Sequence, residues 1–264
     1  LSPLGTSNAN FGYALDIGDI NNDGYDDIVV GAPGGEYDTG ACYVIYGQAS
    51  LKINTFNGEG AGAYTVSDYG SSIQYFEQFP EYVDAEFGDA IAVGDFNGDG
   101  LMDFAVSQNE IGINIYRAGT VLIYLGQPYG SPTVGVIIEG REANTELGEG
   151  KLENLGDVNG DGFDDLGATD DDDRFFIIWG KQNWGVNYDF DGNGTADSYL
   201  IELSKTASYS SGLISMAEVA TSFNFIGVGD VDGDGFDDFL VSSSDKVWES
   251  PTYNYYGNYY HGLI

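Results

Sequence analysis

Short apolar runs alternate with acidic, glycine-rich loops along the whole chain. Ile28-Val29-Val30, Ala41-Cys42-Tyr43-Val44-Ile45-Tyr46 and Phe239-Leu240-Val241 are brief and rich in β-branched and aromatic residues, the composition of buried strands. The stretch from Gly18 to Pro33 shows the unit most fully, because an oxygen-rich loop there runs straight into an apolar strand. The pattern predicts an all-β fold, and 40 glycines and 20 tyrosines suit tight turns and half-exposed strand positions. Long helices are not expected, and no apolar stretch reaches the roughly 18 residues of a membrane span.

Within the first loop Asp19, Asn21 and Asp23 alternate, Gly24 follows, and Asp27 closes the set. Oxygen side chains therefore occupy loop positions 1, 3, 5 and 9, and the backbone carbonyl of Tyr25 stands at position 7. Such an all-oxygen set fits Ca²⁺, a hard cation that takes about six to eight oxygens, with glycine at position 6 supplying the sharp turn. The loop returns as Asp95, Asn97, Asp99, Leu101 and Asp103, as Asp157, Asn159, Asp161, Phe163 and Asp165, and as Asp230, Asp232, Asp234, Phe236 and Asp238. A fifth version, Asp189, Asp191, Asn193, Thr195 and Asp197, keeps the spacing but falls out of sequence with the others and reads as an inserted site. Asn193-Gly194-Thr195 is also a formal glycosylation sequon, but Asn193 is better read as a ligand. Five structural Ca²⁺ sites are thus expected.

Helix-flanked calcium loops begin in the same way but need a carboxylate at position 12. That position holds Val30, Val106, Ala168, Val241 and Leu200, none of which binds a cation, and strands rather than helices follow. Acidic repeats stapled by regular cysteines are excluded by the single cysteine, Cys42, whose apolar surroundings predict a buried strand thiol.

The first aspartates of the main loops are 76, 62 and 73 residues apart, a period long enough for a multi-strand unit per repeat. Each unit reads as a strand with an aromatic-glycine start, the loop, a second strand and a third strand at Gly40–Gly47, Gly119–Gly126 or Arg174–Gly180. Fourth strands are expected at Ala63–Val66, Thr133–Glu139 and Ser198–Leu203, which gives four-stranded blades. The pattern resembles the FG-GAP repeat of integrin α-subunit β-propellers and of many secreted microbial proteins. Phe11-Gly12 and Gly31-Ala32-Pro33 carry both signatures in the first repeat, and Phe87-Gly88 carries one in the second. Val106-Ser107-Gln108, Gly167-Ala168-Thr169 and Val241-Ser242-Ser243 stand where the later GAP triplets are expected. The resemblance implies a β-propeller of about four visible blades, spanning approximately 8–80, 81–143, 144–218 and 219–264, with the last incomplete. It also implies that the ions are structural and lie away from the ligand-binding rim. Closure is expected from outside the segment, by further blades or by a neighbouring copy.

Lysine and arginine total 8 against 43 acids, a formal net charge of −35 that disfavours nucleic acid and anionic membrane as partners. His261 is the lone histidine, no G-x-S-x-G nucleophile motif is present, and one His with one Cys does not make a closed zinc site. The run Asp170–Asp173 lies outside every loop and reads as a solvated turn, and the tail Tyr253–Tyr260 reads as a twisted outer strand. Loops of this kind fill reliably where Ca²⁺ is millimolar, so an extracellular location, secreted or at the cell surface, is expected. The first functional reading is a non-enzymatic adhesion, ligand-binding or assembly module for a protein or glycan partner. The alternative is a carbohydrate-binding propeller or the accessory domain of a polysaccharide-degrading enzyme, and a catalytic propeller is the third.

Overall fold

The computed structural model describes residues 10–34, 39–48, 73–76, 85–140, 142–171, 174–184, 186–188, 198–202, 213–216 and 223–243. Among the described residues all regular structure is strand. The first blade is an antiparallel sheet in chain order, β1 (Leu15–Gly18), β2 (Asp27–Ala32), β3 (Ala41–Ile45) and β4 (Ile73–Phe76). The second repeats it with β5 (Ile91–Gly94), β6 (Asp103–Gln108), β7 (Thr120–Leu125) and β8 (Thr133–Glu139). The third uses β9 (Leu152–Gly156), β10 (Asp165–Thr169) and β11 (Phe175–Ile178), then skips two strands before its outer member, β14 (Leu213–Met216). Of the fourth, β15 (Phe223–Gly229) and β16 (Asp238–Ser243) are described.

Two expectations about fourth strands change. In the first blade the partner of β3 is Ile73–Phe76, whereas Ala63–Val66 lies outside the described residues. Ser198–Leu203 does contain a strand, but not the fourth of blade three. Val186–Tyr188 (β12) and Ser198–Glu202 (β13) form an antiparallel hairpin, and β13 pairs in parallel with β8, widening the second sheet to six strands. An outer strand leaves a row of unpaired amides and carbonyls, and β13 satisfies that edge of β8.

The blades stack face to face, and alternation along each strand sends successive side chains to opposite neighbours. Along β6, Phe104 and Val106 face blade one, where they join Val29, Cys42, Val44 and Phe76, while Ala105 faces blade three and joins Leu152, Leu166 and Phe176. Cys42 is buried in the first of these cores, as its sequence context predicts, and burial pushes its thiol pKa up. The rings of Phe104 and Tyr124 stack there at 4.8 Å and an interplanar angle of 2°. A third core joins Leu155, Phe175 and Ile177 of blade three to Phe225 and Phe239 of blade four. Each large side chain so buried contributes about 1.5–3 kcal/mol, which makes the blade junctions the principal apolar cores.

The aromatic-glycine and GAP signatures meet across a junction. Gly88 of blade two lies so close to Gly31 of blade one that a Cβ at Gly31 would stand 2.0 Å from the Gly88 carbonyl oxygen. Ladder register corrects the expected positions of the later triplets: counted from the position-9 aspartate, Ser107, Thr169 and Ser242 occupy the place of Gly31. A hydroxyl replaces the glycine and finds local work, since Ser107 Oγ accepts from Ala90 N at 2.8 Å and Thr169 Oγ1 from Lys151 N at 3.0 Å.

Gly31→Ala is therefore expected to destabilise the fold by about 2–3 kcal/mol, because backbone rather than a flexible side chain fills the space. Gly12→Ala, with positive φ but nothing within 4 Å of its Cβ, should cost about 1–2 kcal/mol. Urea denaturation of the two variants checks the order.

Candidate metal centres

The four main loops share one backbone path, and the aspartates expected as ligands hold it. The position-1 carboxylate accepts the amides of positions 5 and 6: Asp19 from Asp23 and Gly24 at 3.0 and 2.8 Å, Asp95 from Asp99 and Gly100 at 3.0 and 2.9 Å, and Asp157 from Asp161 and Gly162 at 2.9 and 2.8 Å. Asp230 does the same for Asp234 and Gly235 at 3.1 and 3.0 Å. Position 3 (Asn21, Asn97, Asn159, Asp232) also accepts the position-5 amide. Position 5 (Asp23, Asp99, Asp161, Asp234) accepts the amide of position 7 (Tyr25, Leu101, Phe163, Phe236). These turns give the four loops the same shape, and carboxylate oxygens that accept from the amides keep further lone pairs for a cation.

Position 9 lies deeper. Asp27 accepts from Ile20 N at 3.0 Å and from Gly47 N, at the end of the third strand, at 2.7 Å. Asp165 repeats both bonds, to Val158 N at 3.1 Å and Gly180 N at 2.9 Å, and Asp103 accepts from Gly126 N at 2.9 Å. Burial pushes the carboxyl of Asp27 up to about 6 and those of Asp103 and Asp165 up to about 8, the amides opposing the shift and the neighbouring loop aspartates adding to it. Asp103 Oδ2 is buried without a hydrogen-bond partner. In the fourth loop, carboxylate oxygens of Asp230, Asp232 and Asp238 lie within 4.8 Å of one another. A buried unpartnered carboxylate oxygen and converging acidic oxygens fit a hard divalent cation, which would supply the missing positive charge.

The inserted loop, Asp189, Asp191, Asn193, Thr195 and Asp197, lies outside the described residues, flanked by the β12–β13 hairpin. The tail Tyr253–Tyr260 and His261 lie outside them as well.

Position 8 went unread in the sequence. Asp164 Oδ2 accepts the amide of Asp95 in the preceding loop at 2.9 Å, and Asp164 N donates back to the Asp95 carbonyl at 3.1 Å. Asp237 makes the same exchange with Asp157, at 2.8 and 3.0 Å. The doublets Asp26-Asp27, Asp164-Asp165 and Asp237-Asp238, against Met102-Asp103, were the available signal.

The opposite ends of the strands carry a second acidic group. The Asp170–Asp173 run is not simply a solvated turn: Asp170 is buried and accepts from Arg174 Nε at 2.8 Å and Arg174 N at 3.0 Å. Asp171 is exposed and its carboxylate converges with those of Glu146 and Glu149, while Asp172 and Asp173 lie outside the described residues. Desolvation, then the Asp171 charge and Glu146, push the Glu149 carboxyl up to about 7.

Because that pKa lies above its ordinary value near 4.5, the fold holds the Glu149 proton more tightly than the unfolded chain does. Stability is therefore lost as pH rises from about 4.5 to about 7. Glu149→Gln is expected to leave the thermal midpoint unchanged near pH 4 and to raise it above pH 7, as thermal melts at the two pH values will show. A lowered midpoint at high pH in the presence of divalent cation would instead mean that these carboxylates share an ion.

Comparison with known proteins agrees with the loop and blade geometry. The FG-GAP repeat family model matches residues 11–45 and 87–124. The chain is 35% identical over 162 residues to phosphatidylinositol-glycan-specific phospholipase D of Bos taurus, covering 59% of this chain and 18% of that protein. It is 26% identical over 242 residues to integrin alpha-5 of Xenopus laevis, covering 88% of this chain and 20% of the integrin. Integrin alpha-PS5 of Drosophila melanogaster is 31% identical over 168 residues, 59% of this chain and 14% of its own length. The chain thus spans about a fifth or less of these relatives. With the blade architecture and the repeat signatures in agreement, the chain carries FG-GAP repeats and is similar to the β-propeller region of integrin alpha chains.

Proposed function

We propose that this chain is a calcium-stabilised, extracellular β-propeller module that binds a protein or glycan partner and performs no chemistry itself. The observation that carries the reading is the buried position-9 carboxylate of the first three loops, which ties each of them to its third strand and leaves charge for a cation to balance. In each filled loop Ca²⁺ would be held by the side chains at positions 1, 3, 5 and 9 and the carbonyl at position 7. The inserted loop from Asp189 to Asp197 would hold a fifth ion. Such ions would clamp hairpin tips, so the ligand would sit at the opposite rim, where Thr39 and Gly40 of blade one meet Phe87 of blade two.

Millimolar Ca²⁺ outside the cell suits sites of this kind. Similarity to integrin alpha chains supports an adhesive or ligand-binding role, at the cell surface or in secreted form. A second reading is favoured by the similarity to phosphatidylinositol-glycan-specific phospholipase D, of which this chain covers less than a fifth. Here the module would serve a larger enzyme as an accessory domain, one that holds a glycan near a catalytic centre located elsewhere. Binding of the chain to a glycan array with no binding to cell-surface or matrix proteins would favour this second reading, and binding to such a protein the adhesive one.

Chelator titration during thermal unfolding tests the role of the ions. At a hundredfold excess of Ca²⁺ over Kd, a filled site adds about 2.7 kcal/mol, so removal from several loops should lower the midpoint steeply. Asp99→Ala should lose much of one such contribution, while Asp172→Ala, outside every loop, should change stability by less than about 0.5 kcal/mol. An unchanged midpoint after chelation would end the structural-ion reading.

A further inference from the structure

Acidic oxygens also gather at the rim opposite the calcium loops, where blade two meets blade three. One carboxylate oxygen each from Glu146, Glu149 and Asp171 lies within 4.8 Å of the other two. Backbone bonds hold the segments together: Glu146 N donates to Arg117 O at 3.2 Å, Glu149 N to Glu146 O at 3.0 Å, and Asp171 N to Thr145 O at 2.8 Å. No member of the group belongs to a calcium loop.

Acidic clusters are ordinarily solvated surface, but two buried oxygens distinguish this one. Oε2 of Glu149 is buried without a hydrogen-bond partner. Asn109 is only 3% exposed, and although its Nδ2 donates to Glu86 Oε2 at 3.4 Å, its Oδ1 has no partner. Asn109 follows the end of β6 on the side of the strand that carries Ser107, whose Cβ stands 2.5 Å from the place a Cβ on Gly148 would take. It therefore faces the turn from Glu146 to Glu149, and the next residue, Glu110, shares Arg117 with Glu146.

A buried oxygen without a donor is costly, and a buried carboxylate more so, unless a positive partner compensates. The basic side chains around the group are engaged. Arg117 bridges Glu110 and Oε1 of Glu146, Arg174 pairs with Asp170 and Glu142, and Lys151 lies against Glu153 and Asn224. Asp89 adds its charge to those bearing on Glu149, and Glu86 acts on Asp89 in turn.

We propose that Glu146, Glu149 and Asp171, with the amide oxygen of Asn109, form a further divalent-cation site on the rim opposite the calcium loops. The donors are all oxygen, which selects a hard ion such as Ca²⁺ or Mn²⁺. They fall short of the roughly six to eight ligands that Ca²⁺ takes, so the remaining positions go to water or to an oxygen of a bound ligand. An incomplete set of this kind suits an affinity of about 10⁻⁴ to 10⁻³ M, the range of extracellular calcium modules.

Crystals of the chain grown at about 5 mM Mn²⁺ and pH 8 read the outcome directly, because anomalous scattering gives each ion a position. A peak bonded to carboxylate oxygens of Glu146, Glu149 and Asp171 is expected. Peaks in the loops with none at this rim would overturn the proposal and leave the loop reading standing, whereas a peak here beside empty loops would do the reverse. Equilibrium dialysis at about 5 mM Ca²⁺ supplies a second readout. Glu149→Gln and Asp171→Asn should each hold one ion fewer per chain, and Asn109→Ala, which leaves every charge in place, should weaken that ion at least threefold. Glu153→Gln, an acid of β9 outside the group, should bind as the wild type does. Equal binding by the wild type and the first three variants would overturn the proposal. The same ion should turn the effect of Glu149→Gln on the thermal midpoint at pH 8 from a rise without divalent cation to a fall with it, and a rise under both conditions would count against the site.

Discussion

A buried carboxylate at the ninth position of the first three loops is the constraint on which their blades depend. Asp27, Asp103 and Asp165 reach from the start of the second strand to the amide that ends the third, and so tie a hairpin tip to the far end of the next strand. The glycines that donate this bond, Gly47, Gly126 and Gly180, lie against the backbone carbonyls of Asp26, Met102 and Asp164, where a side chain would collide. Burying an ionised carboxylate costs several kcal/mol unless charge or hydrogen bonds compensate, and here the amides compensate only in part, since burial still raises all three pKa values. A cation at the loop centre would meet the remainder. The same arrangement therefore shapes the loop and creates its demand for an ion.

The loops also set how one blade meets the next. Apolar cores between sheets are non-directional and permit sliding, whereas the paired bonds of Asp164 with Asp95 and of Asp237 with Asp157 fix the rise and rotation of successive blades. At the junction of blades one and two, where Met102 stands at position 8, the approach of Gly88 to Gly31 at the other end of the strands does this work. Each blade pair is thus held at one rim as well as through its core.

Much of this was legible in the sequence, for identifiable reasons. Loop positions 1 to 9 are local, so spacing alone placed Asp19 through Asp27 on one turn, and apolar runs of fixed length located β2, β3, β6, β7 and β16. What depends on strands far apart in the chain was not legible. Ser198–Glu202 has the composition of a strand wherever it pairs, and only the open edge of β8 decides that it joins blade two. Asp164 and Asp237 read as loop acidity until the amides they face come from the loop one blade earlier. Asp170 looked like one member of a solvated acidic run until Arg174, four residues on, closed over it.

The two rims consequently have different physical characters. At the metal-loop rim acidic side chains are consumed by backbone amides and by neighbouring loops, and their geometry repeats from blade to blade. At the opposite rim the repeat breaks down: Gly31 becomes Ser107 and Thr169, Asp170 is neutralised by Arg174, and Glu149 is crowded by Asp171 and Glu146. Repetition is what a stacking interface requires, since each blade must fit both neighbours. Recognition requires departure from it, because a ligand reads one surface rather than an average of four. The opposite rim is where this chain's blades differ from one another, and that divergence, with stacking already secured at the loops, leaves it free to carry specificity.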